Sequence, residues 1–379
     1  MKVVHLLPAL EQGGVETVVC DLVKALGNAG GWESVVVSKG GRLVGRIEAA
    51  GGRHVTLDLK SKNPLTCLSR VWKLRKILRA EKPDLVCAHS RVPAWIYVGV
   101  RKLDSVLGKI SQSVNLSISQ LPWITYAHGA NSVSRYSEVM TKGDLIVAPS
   151  RFLADYLKAN YGTSEAKIRV IPNSVDAVRF DPDNLDRAFV AEKRREWGIR
   201  PGDHVTMAIG RITPVKGLEG LIREFLSLTS GEDAASLRKL VIVGGADKHH
   251  QKYLESLQAL AEDGRRETGD GTGARGGEGG ARIVFAGPQA KIPECISIAD
   301  EIVSANTTKP ETFGLSVIEA YAMNKPVRAK RFGGVAEVMD AVEKTGMPTL
   351  REAVISLYAP DLQAKRTLAA YEEVQKIAL

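Results

Sequence analysis

The sequence predicts an α/β protein made of two doubly wound domains, each a parallel β-sheet covered by helices. Short apolar runs alternate with helical patterns, and this alternation occurs in two successive blocks. The chain has 379 residues, which is too long for one ordinary hydrophobic core and fits two domains of typical size. A ligand is therefore expected between the domains, at the carboxyl ends of the strands.

The first block is predicted to form a sheet of buried parallel strands. Strands are expected at residues 3–7, 34–37, 85–88, 124–127 and 145–148, helices at 15–29, 65–80 and 151–160, and a last strand and turn at 170–173. Residues 174–190 are rich in aspartate and have little apolar periodicity, which is typical of a linker. We therefore predict a first domain over residues 1–175.

The second block repeats the pattern and defines a second domain over residues 176–350. Strands are expected at 205–209, 240–243, 283–286 and 301–304, and helices near 217–228, near 249–262 and from about 314. The glycine-rich residues 264–280 are expected to form a surface insertion. Residues 351–379 have a helical pattern and are predicted to be a C-terminal helical segment. The first domain is one surface on which this segment could pack.

Cysteine spacing and hydropathy restrict the compartment. The four cysteines have no metal-ligand spacing and lie in strand-like or helix-like patterns, which favours reduced, buried thiols. The apolar stretch at the N-terminus is short and interrupted, so it predicts a first strand rather than a signal peptide. No apolar run approaches the ~20 residues needed to span a bilayer. A cytoplasmic protein is expected.

The positive charge of the chain is concentrated in residues 60–109. This segment contains twelve Lys or Arg residues and three acidic ones, and its excess equals the net charge of +9 for the whole chain. Arg70, Lys73 and Lys76 are predicted to lie opposite the apolar face of a helix, an arrangement typical of contact with an anionic membrane surface. A solvated helix face is the alternative. Nucleic acid is disfavoured because no aromatic residues are interleaved with the charge.

The most informative motif lies in residues 309–320. It holds two carboxylates, Glu311 and Glu319, on either side of Phe313, Gly314 and Leu315, and an apolar helical pattern follows. A glycine at a helix start allows close approach of the backbone, and the helix N-terminus favours an anion such as phosphate. Carboxylates accept hydrogen bonds from hydroxyls. The motif therefore predicts a ligand with an anionic middle and hydroxyl-rich ends, which describes a nucleotide sugar.

A second motif, residues 210–217, follows the first strand of the second block. Arg211 and Lys216 lie between Gly210 and Gly217, and two such cations at a strand end can bind a diphosphate without a metal ion. A solvated basic loop is the alternative. No cluster of residues has metal spacing at a strand end; the pair Asp181 and Asp183 lies in the predicted linker.

Two further features follow strands of the first block. Gly13 and Gly14 open a predicted helix, where the backbone can approach a phosphate or an acceptor; a purely structural glycine turn is the alternative. His128 ends a buried strand, where an imidazole can hydrogen-bond a sugar hydroxyl; a satisfied core histidine is the alternative. His89 also ends a strand and is the weaker candidate.

Taken together, these motifs resemble the retaining glycosyltransferases of the GT-B fold, specifically family 4. The similarity runs from Val3 to about Met339, and it depends on the order and spacing of residues 170–176, 210–217 and 311–319. The resemblance implies two Rossmann-like domains that face each other across a cleft. The first is expected to bind the acceptor and the second the nucleotide sugar. It also implies that no metal cofactor is required.

The resemblance assigns roles to the motif residues. Arg211 and Lys216 are expected to bind the donor diphosphate and stabilise it as it leaves. Glu311 is expected to contact the donor sugar, and Glu319 the ribose. The other assignments are backbone amides of Phe313, Gly314 and Leu315 at the phosphates, His128 near the transferring sugar, Gly13 and Gly14 near the β-phosphate and acceptor, and residues 333–337 as the glycine turn after the donor site.

The predicted function is transfer of a hexose-type sugar from a nucleotide donor to a glycan or lipid-linked acceptor, in cell-surface polysaccharide or lipopolysaccharide synthesis. The basic segment places this reaction at the inner face of the plasma membrane. Two alternatives stay open. One is a nucleotide-sugar 2-epimerase of the same fold, and the other is a homologue that binds a nucleotide sugar or glycan without turnover.

Overall fold

The computed structural model describes residues 1–11, 13–61, 63–110, 117–228, 238–267, 283–306 and 308–378. The chain divides into two compact units. The first comprises Met1–Ser174 with Tyr358–Leu379, and the second comprises Val175–Leu357. Each unit contains one parallel sheet with helices packed against it. The predicted fold class, two doubly wound α/β domains with a helical tail, is confirmed.

The sheet of the first unit has seven parallel strands in the order β3-β2-β1-β4-β5-β6-β7. The strands are β1 (Lys2–Leu6), β2 (Glu33–Ser38), β3 (Arg53–Thr56), β4 (Leu85–Ala88), β5 (Trp123–Tyr126), β6 (Leu145–Ala148) and β7 (Ile168–Val170). The helices are α1 (Gly14–Ala29), α2 (Val44–Ala49), α3 (Cys67–Glu81), α4 (Arg91–Ile110) and α5 (Arg151–Tyr161). The sequence analysis missed β3, α2 and α4.

The sheet of the second unit has five parallel strands in the order β10-β9-β8-β11-β12. The strands are β8 (His204–Ile209), β9 (Arg238–Val243), β10 (Ile283–Gly287), β11 (Glu301–Ser304) and β12 (Val327–Ala329). The helices are α6 (Arg187–Glu196), α7 (Leu218–Leu228), α8 (Gln251–Glu267), α9 (Ile292–Ile298), α10 (Leu315–Ala322), α11 (Gly334–Lys344) and α12 (Leu350–Tyr358). Most of the predicted glycine-rich insertion, residues 268–280, lies outside the described residues.

The C-terminal segment is divided between the two units. Helix α12 closes the second unit, whereas α13 (Pro360–Ala378) belongs to the first unit and packs on α1. Tyr371 and Val374 of α13 are fully buried and join the core on one face of the first sheet. The segment that the sequence analysis treats as one piece from residue 351 is therefore two helices with different partners. The second helix completes the core of the first unit.

Helix α3 corrects one predicted site residue. Arg70 is 6% exposed, and its guanidinium donates hydrogen bonds to the carbonyl oxygens of Ser61, Asn63 and Thr66. It therefore holds the loop before the helix, and the prediction that it lies on a basic surface is wrong. The reason is that three neighbouring carbonyls satisfy its donors and compensate its burial. Lys73 and Lys76 are exposed as predicted.

Three other basic residues of this segment do not contribute to the described surface of α3. Lys62 and the side chain of Lys109 lie outside the described residues. The third, Arg75, is buried and forms an ion pair with Asp104, in which Nη2 of Arg75 lies 2.8 Å from Oδ1 of Asp104.

Among the described helices, none has both the length and the hydropathy that a membrane span requires.

Candidate functional site

The two predicted motifs of the second unit meet in one pocket at the carboxyl ends of β8 and β11. The residues that line it include Gly210, Arg211, Lys216, Asn306, Glu311 and Ser316. In a doubly wound sheet this edge is where ligands bind, because the loops and the N-termini of the following helices converge there. The structure thus brings together the basic loop and the first acidic residue, as the motifs suggest.

An ion pair connects the two motifs. The Nζ atom of Lys216 lies 2.5 Å from Oε1 of Glu311, and the two side chains are 30% and 16% exposed. Removing one partner of a partly buried ion pair leaves an uncompensated charge, which is costly unless another charged group takes its place. Arg211 also lines the pocket but is exposed at its rim. The pocket therefore holds two cations beside one carboxylate.

Glycines fix the basic loop against two neighbouring strand ends. Gly217 has φ +67°, and a Cβ atom at this position would lie 2.0 Å from the carbonyl oxygen of Ala305. Gly244, which follows β9, has φ +151°, and a Cβ there would lie 1.8 Å from the carbonyl oxygen of Gly210. Any side chain at these positions would displace backbone. The glycines therefore allow the close backbone packing that places Lys216 in the pocket.

The acidic loop is held in a similar way by the glycine turn after the donor motif. The N–H of Gly334 donates to the carbonyl oxygen of Glu311 at 2.8 Å. A Cβ at Gly334 would lie 2.2 Å from the carbonyl oxygen of Thr312, so α11 begins in contact with this loop. The two segments therefore form one rigid support for the Glu311 carboxylate.

Helix α10 begins at the pocket. Gly314 precedes it in the left-handed region, with φ +103°, and its carbonyl accepts hydrogen bonds from the N–H groups of Val317 and Ile318. The N–H groups of Leu315 and Ser316, in the first turn, have no carbonyl one turn earlier within the helix. Together with the positive end of the helix dipole they favour an anion at this place. Phe313 is buried and packs the loop into the core.

Glu319, the second predicted acidic residue, lies in α10 and is partly buried. It is not one of the residues that line the pocket around Lys216 and Glu311. Its expected contact with a ribose stays a prediction.

Asn306 is a pocket residue that the sequence analysis missed. It follows β11, is 5% exposed, and its Oδ1 atom has no hydrogen-bond partner among the described residues. A buried amide oxygen without a partner is costly unless a ligand or water satisfies it. The available signal was its position at the carboxyl end of a predicted strand, where site residues collect.

In the first unit, His128 is part of a row of three histidines. His5 lies in β1, His89 follows β4, and His128 follows β5. The Nδ1 atom of His5 lies 3.0 Å from Nε2 of His89, and Nδ1 of His89 lies 3.1 Å from Nε2 of His128. Burial lowers the pKa of His5 to about 3 and that of His128 to about 4. It also lowers the pKa of His89 well below its ordinary value. All three rings are therefore neutral at pH 7.

Gly13 and Gly14 lie at the start of α1, after β1, at the same carboxyl edge of the first sheet. Gly13 is extended, with φ −173°, so its backbone does not require glycine there. A Cβ would approach only the flexible side chain of Glu16.

Within the described residues, no group of three or more His, Cys, Asp or Glu side chains is placed to hold a metal ion.

Comparison with known proteins gives these two units a family context. Residues 12–179 match the family model described as Glycosyltransferase Family 4, and residues 189–348 match the one described as Glycosyl transferases group 1. The two matches together cover most of the chain. Each of the two units thus matches a glycosyltransferase domain model over most of its length.

Solved glycosyltransferases share the fold of this chain over nearly its whole length. A glycosyltransferase from Rickettsia africae ESF-5 is 24% identical, with a TM-score of 0.76, and the match covers 99% of this chain and 98% of that one. Anabaena Alr3699/HepE in complex with UDP and glucose is 18% identical, with a TM-score of 0.68 and coverage of 100% and 99%. WaaG, a glycosyltransferase involved in lipopolysaccharide biosynthesis, is 14% identical, with a TM-score of 0.61 and coverage of 99% and 95%.

Curated relatives align over part of their length. The D-inositol 3-phosphate glycosyltransferase of Nocardia farcinica is 29% identical over 201 residues, which is 52% of this chain and 40% of that protein. The enzyme of the same name from Rhodococcus opacus is 30% identical over 212 residues, covering 55% and 43%. The chain thus spans less than half the length of these two relatives.

Proposed function

We propose that this chain is a retaining glycosyltransferase of family 4 that moves a hexose-type sugar from a nucleoside-diphosphate donor to a glycan or lipid-linked acceptor. The observation that carries the proposal is the Lys216–Glu311 pair in the pocket of the second unit. It places a cation for a diphosphate directly beside a carboxylate for sugar hydroxyls. Anabaena HepE, which shares the fold, has been solved with UDP-glucose, and this supports a nucleotide sugar as the donor.

Binding of the donor opens the ion pair between Lys216 and Glu311. The diphosphate of the donor replaces the Glu311 carboxylate as the partner of Lys216, and Arg211 at the rim adds a second positive charge. The N–H groups of Leu315 and Ser316 bind a phosphate oxygen at the start of α10. Glu311 is released to accept hydrogen bonds from the sugar hydroxyls. The charge that builds up on the leaving diphosphate is thus met by side chains, and we propose that no metal ion is needed.

Retention is explained by reaction on one face of the sugar. The bond between the anomeric carbon and the diphosphate oxygen breaks, and the acceptor oxygen forms its bond on the same face. The acceptor hydroxyl proton passes to the departing phosphate oxygen, so no protein nucleophile is required. Lys216 and Arg211 make this step easier because they stabilise the departing dianion more than they stabilise the bound donor.

A second part of the proposal is contact with an anionic membrane surface through α3. Leu68 and Trp72 are 74% and 44% exposed, and they lie on the same outer part of the helix as the exposed Lys73 and Lys76. Apolar side chains beside lysines suit a membrane interface, where the rings and alkyl groups insert and the ammonium groups meet anionic lipid headgroups. This surface would bring a lipid-linked acceptor, such as a lipopolysaccharide precursor, to an enzyme inside the cell.

The donor proposal is tested by ligand binding. A ligand that binds only the folded state raises its apparent stability, so UDP-, GDP- and ADP-sugars are compared by thermal shift with wild type and Lys216→Ala. We expect one nucleotide class to raise the melting temperature of wild type and to have no effect on the variant. Radiolabelled transfer with and without EDTA then tests the metal requirement. Loss of transfer in EDTA with recovery in Mn²⁺ would contradict the proposed charge roles, and product without any acceptor would favour the epimerase.

The membrane proposal is tested by sedimentation with vesicles of phosphatidylglycerol and phosphatidylcholine. We expect the double variant Lys73→Glu, Lys76→Glu and the single variant Trp72→Ser each to reduce binding. Lys365→Glu, Arg366→Glu is the matched control, because it reverses two exposed charges on α13. Equal binding by wild type, the two α3 variants and the control would show that the α3 surface is a solvated helix face without a role in membrane contact.

A further inference from the structure

Asn306 is placed in the pocket of the second unit by the order of the strands. It comes two residues after β11, which lies beside β8, so its loop meets the basic loop that follows β8. The backbones are in close contact: a Cβ at Gly217 would lie 2.0 Å from the carbonyl oxygen of Ala305 and 3.6 Å from the amide nitrogen of Asn306. Asn306 therefore lies next to the turn that carries Lys216.

The side-chain oxygen of Asn306 is a buried acceptor without a hydrogen bond. The residue is 5% exposed, and Oδ1 has no partner in the part of the chain that the structure describes. Four side chains that can donate hydrogen bonds line the same pocket, and none of them donates to this oxygen: Arg211, Lys216, Ser304 and Ser316. Buried polar atoms are nearly always satisfied, because burial removes the water that would otherwise bond to them. This oxygen therefore points to a partner that binds in the pocket.

The chemistry of an amide oxygen restricts what this partner is. The oxygen only accepts, so the partner must present an O–H or an N–H group. An ionised diphosphate carries no proton to donate and is excluded. The carboxylate of Glu311 lines the same pocket and also only accepts. Two acceptors in one pocket suit a ligand group with several hydroxyls, and they disfavour a carboxylate.

The pocket residues indicate which end of the nucleotide sugar reaches Asn306. In the proposed function Lys216 and Arg211 bind the diphosphate and Glu311 contacts the sugar. Glu319, which is expected at the ribose, is not one of the residues that line the pocket. The side chains beside Lys216 and Glu311 therefore face the sugar end of the ligand.

We propose that Asn306 is a specificity-determining residue, whose Oδ1 accepts a hydrogen bond from one hydroxyl of the sugar that is transferred. The ligand class is a nucleotide sugar with a neutral hexose that carries this hydroxyl. A sugar with a hydrogen atom or a carboxylate at that position is rejected, because it leaves the buried oxygen without a hydrogen-bond donor. The inference rests on the proposed function for the place of the diphosphate.

The contact is tested by changing both of its partners. Calorimetry compares wild type and Asn306→Leu, which keeps a similar volume without the amide. The ligands are the hexose conjugate of UDP, GDP or ADP that gives the largest thermal shift, and its monodeoxy analogues at each hydroxyl. We expect wild type to lose about tenfold or more in affinity for one analogue, and the variant to bind that analogue and the parent sugar within about twofold. Contacts of other residues with the sugar are present in both proteins and cancel in this comparison.

The free nucleoside diphosphate separates a sugar contact from a phosphate contact. We expect Asn306→Leu to bind it within about twofold of wild type, since the lost contact belongs to the sugar. If the variant lost as much affinity for the free nucleoside diphosphate as for the sugar conjugate, the amide would serve the phosphates and the proposal would be wrong. Asn306→Asp should weaken both ligands, because it adds a carboxylate beside the diphosphate.

Urea unfolding without ligand tests whether the amide has a structural role. Asn306→Leu should unfold at the same urea concentration as wild type or a higher one, because it removes a buried acceptor that has no partner. Asn184→Leu changes an exposed asparagine of the same unit and should alter neither unfolding nor binding. A clearly lower midpoint in both Asn306→Leu and the smaller Asn306→Ala would show that the amide is bonded within the protein, which overturns the proposal.

The binding results also keep this inference distinct from the proposed function. If nucleotide sugars and all their deoxy analogues bind wild type, Asn306→Leu and Asn306→Ala alike, the amide is satisfied by water only. The role of Asn306 then fails while the donor site stands. If no nucleotide sugar binds wild type, the proposed function fails and the inference fails with it.

Discussion

The ammonium group of Lys216 lies 2.5 Å from a carboxylate oxygen of Glu311, although the two residues are 95 positions apart in the sequence. Each neutralises the other in the pocket. Removing one partner therefore leaves an uncompensated charge as well as removing a contact, and single variants of the pair will not have additive effects. The relationship makes the pair a sharp test of the donor site.

Lys216→Ala is expected to weaken binding of the donor diphosphate by about 100-fold, because it removes a charge-assisted hydrogen bond to phosphate. Glu311→Gln should weaken donor binding less than Lys216→Ala does and should lower kcat more, because the proposed contacts of the Glu311 carboxylate are with hydroxyls of the reacting sugar. Calorimetry with the nucleotide found by thermal shift, together with initial rates, measures both. Lys309→Ala is the control, since it removes an exposed charge from the same loop. Equal donor affinity in wild type and Lys216→Ala would remove the site assignment.

Gly334→Ala is expected to disturb the acidic loop from outside the pocket. The added Cβ would lie 2.2 Å from the carbonyl oxygen of Thr312, and that atom belongs to backbone, so the loop must shift. We expect a loss of about 1–3 kcal/mol in the free energy of unfolding, as for overpacking, and weaker donor binding. Urea unfolding and calorimetry measure these effects.

Gly220→Ala is the matched control for Gly334→Ala. Gly220 lies in α7, and a Cβ there has open space around it. An alanine in a helix should leave the protein equally stable or up to about 1 kcal/mol more stable. If Gly334→Ala behaved like this control, the contact between the start of α11 and the acidic loop would not be needed to hold the loop.

The central strands and the edge strand β10 could be predicted from the sequence, whereas the edge strands β3 and β12 could not. The buried strands β1, β4 and β6 are short apolar runs, which is the signal that predicts them. The edge strands β3 and β12 have mixed exposure, so they lack an apolar run and were missed. These strands exist because the neighbouring strand offers its free backbone groups, and that information is not local.

The site shows a similar division. Residues 210–217 and 311–319 were predicted as site segments because glycines, cations and carboxylates next to predicted strand ends can be recognised in the amino-acid sequence. The burial of Arg70 was not predictable, because it depends on carbonyl groups of a loop that folds back to meet it. The row of His5, His89 and His128 was missed because its members come from three strands, β1, β4 and β5, that are neighbours in the sheet, although β2 and β3 lie between β1 and β4 in the chain.

Asp104→Asn is expected to destabilise the first unit strongly. Asp104 is 3% exposed and accepts hydrogen bonds from Arg75, whose Nε lies 2.9 Å from Oδ1, and from Arg79. Removing its charge leaves the buried guanidinium of Arg75 without a counter-ion, at a cost of about 3–5 kcal/mol. The exposed pair of Asp155 and Lys158 provides the control, and Asp155→Asn should cost less than about 1 kcal/mol. Similar urea midpoints for the two variants would contradict this account.

The histidine row also predicts how stability depends on pH. The pKa values of His5 and His128 are lowered to about 3 and about 4, and that of His89 is lowered well below 6.5. Between these values and 6.5 the unfolded chain binds more protons than the folded one, so stability falls as the pH drops through this window and is level above it. The pKa of His54 is also lowered by burial and acts in the same direction.

The expected loss is up to about 1.4 kcal/mol per pH unit for each histidine below pH 6.5, because a protonated imidazole has to be accommodated in the core or the chain unfolds. Urea unfolding at several values between pH 7.5 and 5 measures it. Lowered carboxyl pKa values, such as that of Glu81, act only below about 4.5 and do not enter this range. His5→Phe should reduce the slope while the exposed His249→Gln keeps it. A free energy of unfolding that stays constant from pH 7.5 to 5 would show that the row is not held neutral by the fold.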